Sequence, residues 1–231
     1  MRLSRAFFAR PCLEVAPEML GLVLVHELAR GVRLAARIVE VEAYLGDGSD
    51  AASHAHRGPT PRSGIMFGRP GHFYVYRSMG LHSCVNVVCE PEGRGAAVLL
   101  RAGEPLQGLA EMRRLRSIRR ARAAPSEDAS GEAARSEAQP SEVDRAGREL
   151  TNGPGKLAQA LGIGLAETGA DALRGPLRLE RRARAPAFEI AVSPRIGITK
   201  SADLPYRFFV RGSPCVSRST WNARARILPA P

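Results

Sequence analysis

The run RIVEVEAYLG at 37–46 constrains this chain more than any other stretch. It alternates as a strand does, placing Glu40, Glu42 and Tyr44 on one face and Val39, Val41 and Ala43 on the other. Side chains two apart on a strand share a face and lie roughly 6–7 Å from one another. Two carboxylates and a phenol side by side on a strand cost free energy unless a partner or a chemical task uses them. Glu42 stands at the end of the strand, beside Tyr44 and before the Gly46 turn, where stiff scaffold meets a loop that can admit a substrate. The plainer reading is a glutamate paired with one of the chain's many arginines.

The surrounding signals describe a sheet-rich domain. Residues 11–20 carry Leu13, Val15 and Met19 at helical spacing. Residues 22–28 and 32–44 read as strands joined by a turn at Ala29-Arg30-Gly31, a hairpin. A loop over 46–71 is rich in Gly, Pro, Ser, His and Arg; a loop that long inside a compact domain is either functional or disordered. Strands follow at 72–76, 84–89 and 96–102. The first two flank a hairpin tip over 78–82 in which Gly80 is free to take positive φ. Residues 106–122 have helical spacing with an arginine-rich outer face.

Residues 123–148 are small, polar and charged, and read as a flexible surface insertion within a single domain spanning 1–231. Asn152-Gly153-Pro154-Gly155 turns into a short helix, and strands are expected at 177–182, 187–192 and 206–211. Strands and helices do not alternate as βαβ units. The expected fold class is therefore α+β, with an antiparallel or mixed sheet.

Charge narrows the partners. The chain carries a net charge of +11, and Lys156 and Lys200 are its only lysines, so the excess is arginine. Arginine makes forked contacts to phosphate, which favours nucleic acid over a membrane surface; solubility alone is the bland alternative. Cys12, Cys84, Cys89 and Cys215 lack CxxC spacing and read as buried free thiols in a reducing cytoplasm. No apolar run is long enough to span a membrane.

Other groups invite chemistry. His54, His56 and His72 have no metal-binding motif around them, so contact to a base or phosphate is favoured over a metal. Tyr74 and Tyr76 share a strand face, either as part of the sheet packing or as a platform for a stacked base. Arg101 ends an apolar strand and needs a carboxylate or phosphate partner, with Glu40 or Glu42 the natural candidate. Met79 and Leu81 at the hairpin tip either pack on a neighbour or wedge between stacked bases.

The ordered series RIVEVEAYLG, SHAHRGPTPR, IMFGRPGHFYVY, GLHSCVNVV, AVLLRAGEP, NGPGKL, SPRIGI and FFVRGSP resembles the alkyladenine (3-methyladenine) DNA glycosylases of the mammalian type, in their bacterial branch. The resemblance covers all but the first dozen residues, the 123–148 insertion and the C-terminal tail. It implies one mixed domain with a curved, mainly antiparallel sheet, a protruding β-hairpin and flanking helices. It also implies a monofunctional, monomeric base-excision-repair enzyme that needs no metal or other cofactor. Its partner would be duplex DNA containing damaged purines, and its place the cytoplasm, associated with the nucleoid.

By motif, Glu42 resembles the general base that activates water, and Arg101 the residue that helps hold that water. Tyr44, His54 and Tyr76 resemble the walls around a flipped base, and Asn86 the floor residue that disfavours the amino group of guanine. Met79 stands where the family has a tyrosine wedge. A non-catalytic DNA-binding module and a bifunctional glycosylase/lyase are the alternatives.

Overall fold

The computed structural model describes residues 3–123, 147–181 and 187–229. Nine strands form one sheet: β1 (Val23–Glu27), β2 (Arg33–Tyr44), β3 (Phe73–Ser78), β4 (His82–Cys89), β5 (Ala96–Gln107), β6 (Leu177–Glu180), β7 (Ile190–Ser193), β8 (Arg207–Val210) and β9 (Arg226–Ile227). The main path runs β3-β4-β5-β2-β8-β7-β9, with β1 and β6 branching from β2. Every pairing is antiparallel. Helices α1 (Arg5–Phe8), α2 (Cys12–Glu18), α3 (Leu109–Ala123) and α4 (Pro154–Ala160) accompany the sheet, an α+β architecture as expected. No helix among the described residues is long and apolar enough to cross a membrane.

β2 organises the sheet. One edge pairs with β5 from Ala35 to Tyr44. The other edge forks, with residues 33–37 pairing with β1 and 40–42 with β8. At the fork the register slips twice. Ile38 faces Gly103 and Glu40 faces Ala102, so Val39 has no counterpart; Val41 then faces Leu100, so Arg101 has none. Such bulges re-aim side chains.

The bulges correct the simple alternation read for this strand. Ile38, Val41 and Ala43 belong to the main core with Leu24, Val98, Leu100 and Leu157. Val39 instead packs with Ala102, Phe209, Cys215 and Val216 in a second cluster. β2 ends at Tyr44, and Gly46 just beyond it admits no side chain, because any Cβ there would run into the backbone of Arg94 and Gly95.

Several boundaries differ from the sequence reading. β5 continues to Gln107 because Gly103 to Gln107 keep pairing with 35–38. The helix expected from 106 therefore starts at Leu109, after Gly108 turns the chain at φ 84°. Pairing of β3 with β4 extends to Ser78 and His82, so the hairpin tip is only Met79-Gly80-Leu81. α1 and β9, too short for any periodic signal, were not expected. None of the four cysteines forms a disulfide, and all are buried. The insertion expected over 123–148 lies almost wholly outside the described residues.

Candidate active site

Glu40 and Glu42 are both fully buried on β2, and burying a carboxylate costs several kcal/mol unless it is paired and hydrogen-bonded. The bulge at Arg101 meets that need. Its Nε donates to Glu40 Oε1 at 3.0 Å and its Nη1 to Glu42 Oε2 at 3.1 Å. Glu40 also accepts from Arg207 Nε at 2.7 Å and, through Oε2, from the Ser217 backbone N–H at 2.7 Å. Burial pushes the Glu40 carboxyl up, but Arg101 and Arg207 outweigh it and hold it below the usual range. Burial likewise opposes the Arg101 charge, and Glu42 and Glu40 more than reverse that, raising its pKa. Glu40 is thus a structural anchor between two guanidinium groups.

Glu42 has a different set of partners. Oε2 accepts from Arg101 and from the Tyr44 hydroxyl at 2.9 Å, and Oε1 accepts from the Ile196 backbone N–H at 2.7 Å. An ionised carboxylate offers about four acceptor positions. Three are occupied, which leaves one on Oε1. Burial, followed by the Glu42 charge, pushes the Tyr44 phenol well above its ordinary pKa, so it stays a donor.

Two cavities flank this cluster. One, of about 430 Å³, is lined among others by Tyr44, His54, Tyr74, Tyr76, Asn86 and Met79. That size lies within the range of small-ligand pockets, roughly 300–1,000 Å³. The other, of about 330 Å³, is lined by Arg101, Asn152, Lys156, Ile196 and Ser217 among others. Glu42 lines neither. Tyr44 separates it from the first, and Arg101 and Ile196 from the second. Expected site residues therefore fall into three places: Glu42, Tyr44 and Arg101 in the buried cluster, His54, Tyr76 and Asn86 in the larger cavity, and Met79 at its mouth.

The cavity walls are aromatic. Tyr74 and Tyr76 are stacked with centroids 5.6 Å apart, and His54 meets Tyr76 edge-on at 4.5 Å. His54 Nδ1 lies 2.9 Å from the Tyr74 hydroxyl. Burial and then the charge of Arg62 lower the His54 pKa to about 4, so the ring is neutral at physiological pH. Asn86 Nδ2 donates to the Tyr74 carbonyl at 3.0 Å, fixing its side chain on the cavity floor. His72 lies elsewhere, with Nδ1 3.0 Å from the Arg69 carbonyl oxygen.

The hairpin tip projects outward, with Met79 89% and Leu81 60% exposed. Met79 adopts φ 51° and Gly80 φ 70°. A left-handed conformation costs a non-glycine residue roughly 1–2 kcal/mol. Met79 is therefore held exposed by a strained turn and does not pack on a neighbour.

The sequence reading missed four contributors. Arg195 makes a fully buried two-pronged pair with Asp50 at 2.6 and 2.7 Å, and its guanidinium lies 4.5 Å over the Tyr44 ring. Arg207 anchors Glu40, and Ile196 supplies a backbone donor to Glu42. These partners lie 145 to 167 residues apart in sequence. The only available signal was an arginine beside a turn in SPRIGI and an aspartate closing GDGSD.

Comparison with known proteins agrees along nearly the whole chain. The family model described as Methylpurine-DNA glycosylase matches residues 6–214. A Rhodopseudomonas palustris protein named "Putative 3-methyladenine DNA glycosylase" is 46% identical over 216 residues, covering 94% of this chain and 88% of its own length. Proteins of the same name from Chlorobaculum parvum (43% identity, 96% and 93% coverage) and Methanoculleus marisnigri (43%, 94% and 100%) are similar to it over comparable spans. The match includes β2, β5, the hairpin and the Arg195 turn. The chain belongs to the methylpurine-DNA glycosylase family, and is a hydrolase acting on N-glycosyl bonds.

Proposed function

We propose that this enzyme removes alkylated purines of the 3-methyladenine type from double-stranded DNA. The damaged nucleotide flips out of the duplex, since its glycosidic bond is out of reach inside the stack. The base enters the larger cavity, between Tyr44, His54 and Tyr76. Glu42 takes a proton from a water that attacks the sugar carbon as oxocarbenium character develops, and Arg101 helps hold that water. The single observation that carries this reading is the acceptor position left on Glu42 Oε1. The carboxylate is buried and locked in place, yet it keeps room for one more donor.

The two cavities support a division of labour. The base lies on the Tyr44 side, and water approaches Glu42 from the side of Arg101 and Ile196. Purines methylated on a ring nitrogen leave readily because they are already cationic; hypoxanthine and ethenoadenine are neutral substrates of the same cavity and must be protonated to leave as neutral bases. Asn86 on the floor disfavours the exocyclic amino group of normal guanine. Met79, aided by Leu81, inserts into the duplex where the nucleotide has left. Lys156 Nζ is engaged with Asn152 Oδ1 at 2.8 Å, in keeping with hydrolysis without a lyase step. The chain acts as a monomer and one domain, and residues 123–148 are dispensable for excision.

Glu42→Gln is the test. It keeps the shape of the side chain but removes the base. Single-turnover release of 3-methyladenine should fall roughly 100-fold or more, while lesion-duplex affinity persists. Unchanged release would rule out Glu42 as the base, and binding without any release by the wild type would favour a non-catalytic DNA-binding module.

A further inference from the structure

The larger cavity is lined by two arginines and, among the described residues, by no carboxylate; the carboxylates of the buried cluster beside it are already matched. Glu40, Glu42 and Asp50 are ion-paired with Arg101, Arg207 and Arg195. Beyond these, Arg62 and Arg77 line the cavity, and neither is ion-paired with a carboxylate among the described residues. The Arg62 guanidinium lies 5.0 Å from the centroid of the Tyr76 ring, over its face. Arg195 stands over Tyr44 at 4.5 Å. Both tyrosines proposed to stack on the base therefore already carry a cation of the protein's own. An aromatic face attracts a cation through its quadrupole, and a second cation on the same ring meets repulsion from the first.

The two arginines differ in how they are held. Arg195 is buried and fixed by Asp50 and by the Ala43 carbonyl. Arg62 is exposed; it reaches the Arg77 carbonyl at a long 3.5 Å and also hydrogen-bonds to the Tyr74 side chain. It can turn its N–H donors toward the edge of a bound base. After burial, the charge of Arg62 is the next influence that disfavours protonation of His54 on the same wall.

We infer that Arg62 is a specificity-determining residue, which biases excision toward neutral damaged purines bearing a ring or carbonyl acceptor and against purines with a fixed positive charge. The inference rests on the function proposed above. Hypoxanthine offers an oxygen acceptor to the guanidinium and carries no charge. N3- and N7-methylated purines carry a full positive charge while still bonded to the sugar, and they meet Arg62 across a few ångströms. Their intrinsic ease of leaving is then partly offset by a poorer fit to the field of the cavity.

Single-turnover rate constants for wild type, Arg62→Gln and Arg62→Lys decide the matter. One substrate is methylated duplex DNA, read as free 3-methyladenine and 7-methylguanine; the other is a duplex with one hypoxanthine. In Arg62→Gln the ratio of methylpurine to hypoxanthine release should rise roughly tenfold, while Arg62→Lys, which keeps the charge, stays near the wild-type ratio. The salt dependence of duplex binding is measured alongside. An unchanged ratio, with a uniform loss on both substrates and a salt slope smaller by about one, would overturn the inference and make Arg62 a phosphate contact only. If the wild type releases no base from either DNA, the proposed function fails and this inference with it. Release from both with an unchanged ratio overturns this inference alone.

Discussion

Arg101 Nη1 lies 3.1 Å from Glu42 Oε2, and the same guanidinium reaches Glu40 through Nε. One bulged residue on β5 therefore holds two buried carboxylates that stand two apart on β2. Removing it leaves Glu42 with only neutral donors and Glu40 with Arg207. Arg101→Leu should destabilise the fold by about 3–5 kcal/mol, the usual cost of stranding a buried charge. Urea unfolding checks this, as a lower midpoint at an unchanged slope. Glu40→Gln should be destabilising on the same scale, because Arg207 is itself fully buried.

The Arg195–Asp50 pair positions Tyr44 from behind and carries no solvent exposure on either side chain. Arg195→Met and Asp50→Asn should each cost about 3–5 kcal/mol. The double variant should cost clearly less than their sum, because it strands neither charge. Strict additivity in a double-mutant cycle would mean that the two do not act as a pair.

Met79 is 89% exposed, so Met79→Ala should leave stability within about 0.5 kcal/mol. It should weaken binding to a lesion-containing duplex much more than binding to the same lesion in a single strand. Met79→Gly relieves the φ 51° turn and should slightly stabilise the hairpin while still losing duplex affinity. Equal loss on both DNA forms would argue against a wedge.

His54 has its pKa lowered to about 4 in the fold, from an ordinary 6.5. The unfolded chain therefore takes up a proton below 6.5 that the folded one refuses. Stability should fall as pH drops from 6.5 toward 4, and level off below. Partial exposure of the ring makes the effect modest. His54→Gln should flatten this part of the pH–stability curve relative to wild type. An imidazole resonance titrating near 6.5 in the native protein would contradict the assignment.

The local pattern of this chain determined much of its architecture. Period-two alternation located β2, short strand-like apolar runs located β3, β4 and β5, and glycine-marked turns separated them. Glu42 and Arg101 stood out because charged groups on strands are costly without partners, His54 and Tyr76 as a loop histidine and a strand-face aromatic, and the roles of Tyr44 and Asn86 came only through the family resemblance. Those costs are local, so a sequence records them. The pairing of Arg101 with Glu40 or Glu42 was expected from the sequence and is seen to both; the other partners were decided by tertiary structure alone. The paired bulges that release Val39 from the core face and turn Arg101 toward both glutamates depend on the register between two strands. Arg195, Arg207 and Ile196 reach the cluster from 145 to 167 residues away, across a sheet whose β2 edge forks. Periodicity reports which face a side chain takes. It says nothing of which distant charge will meet it there, because that is fixed only when the whole sheet closes around the buried carboxylates.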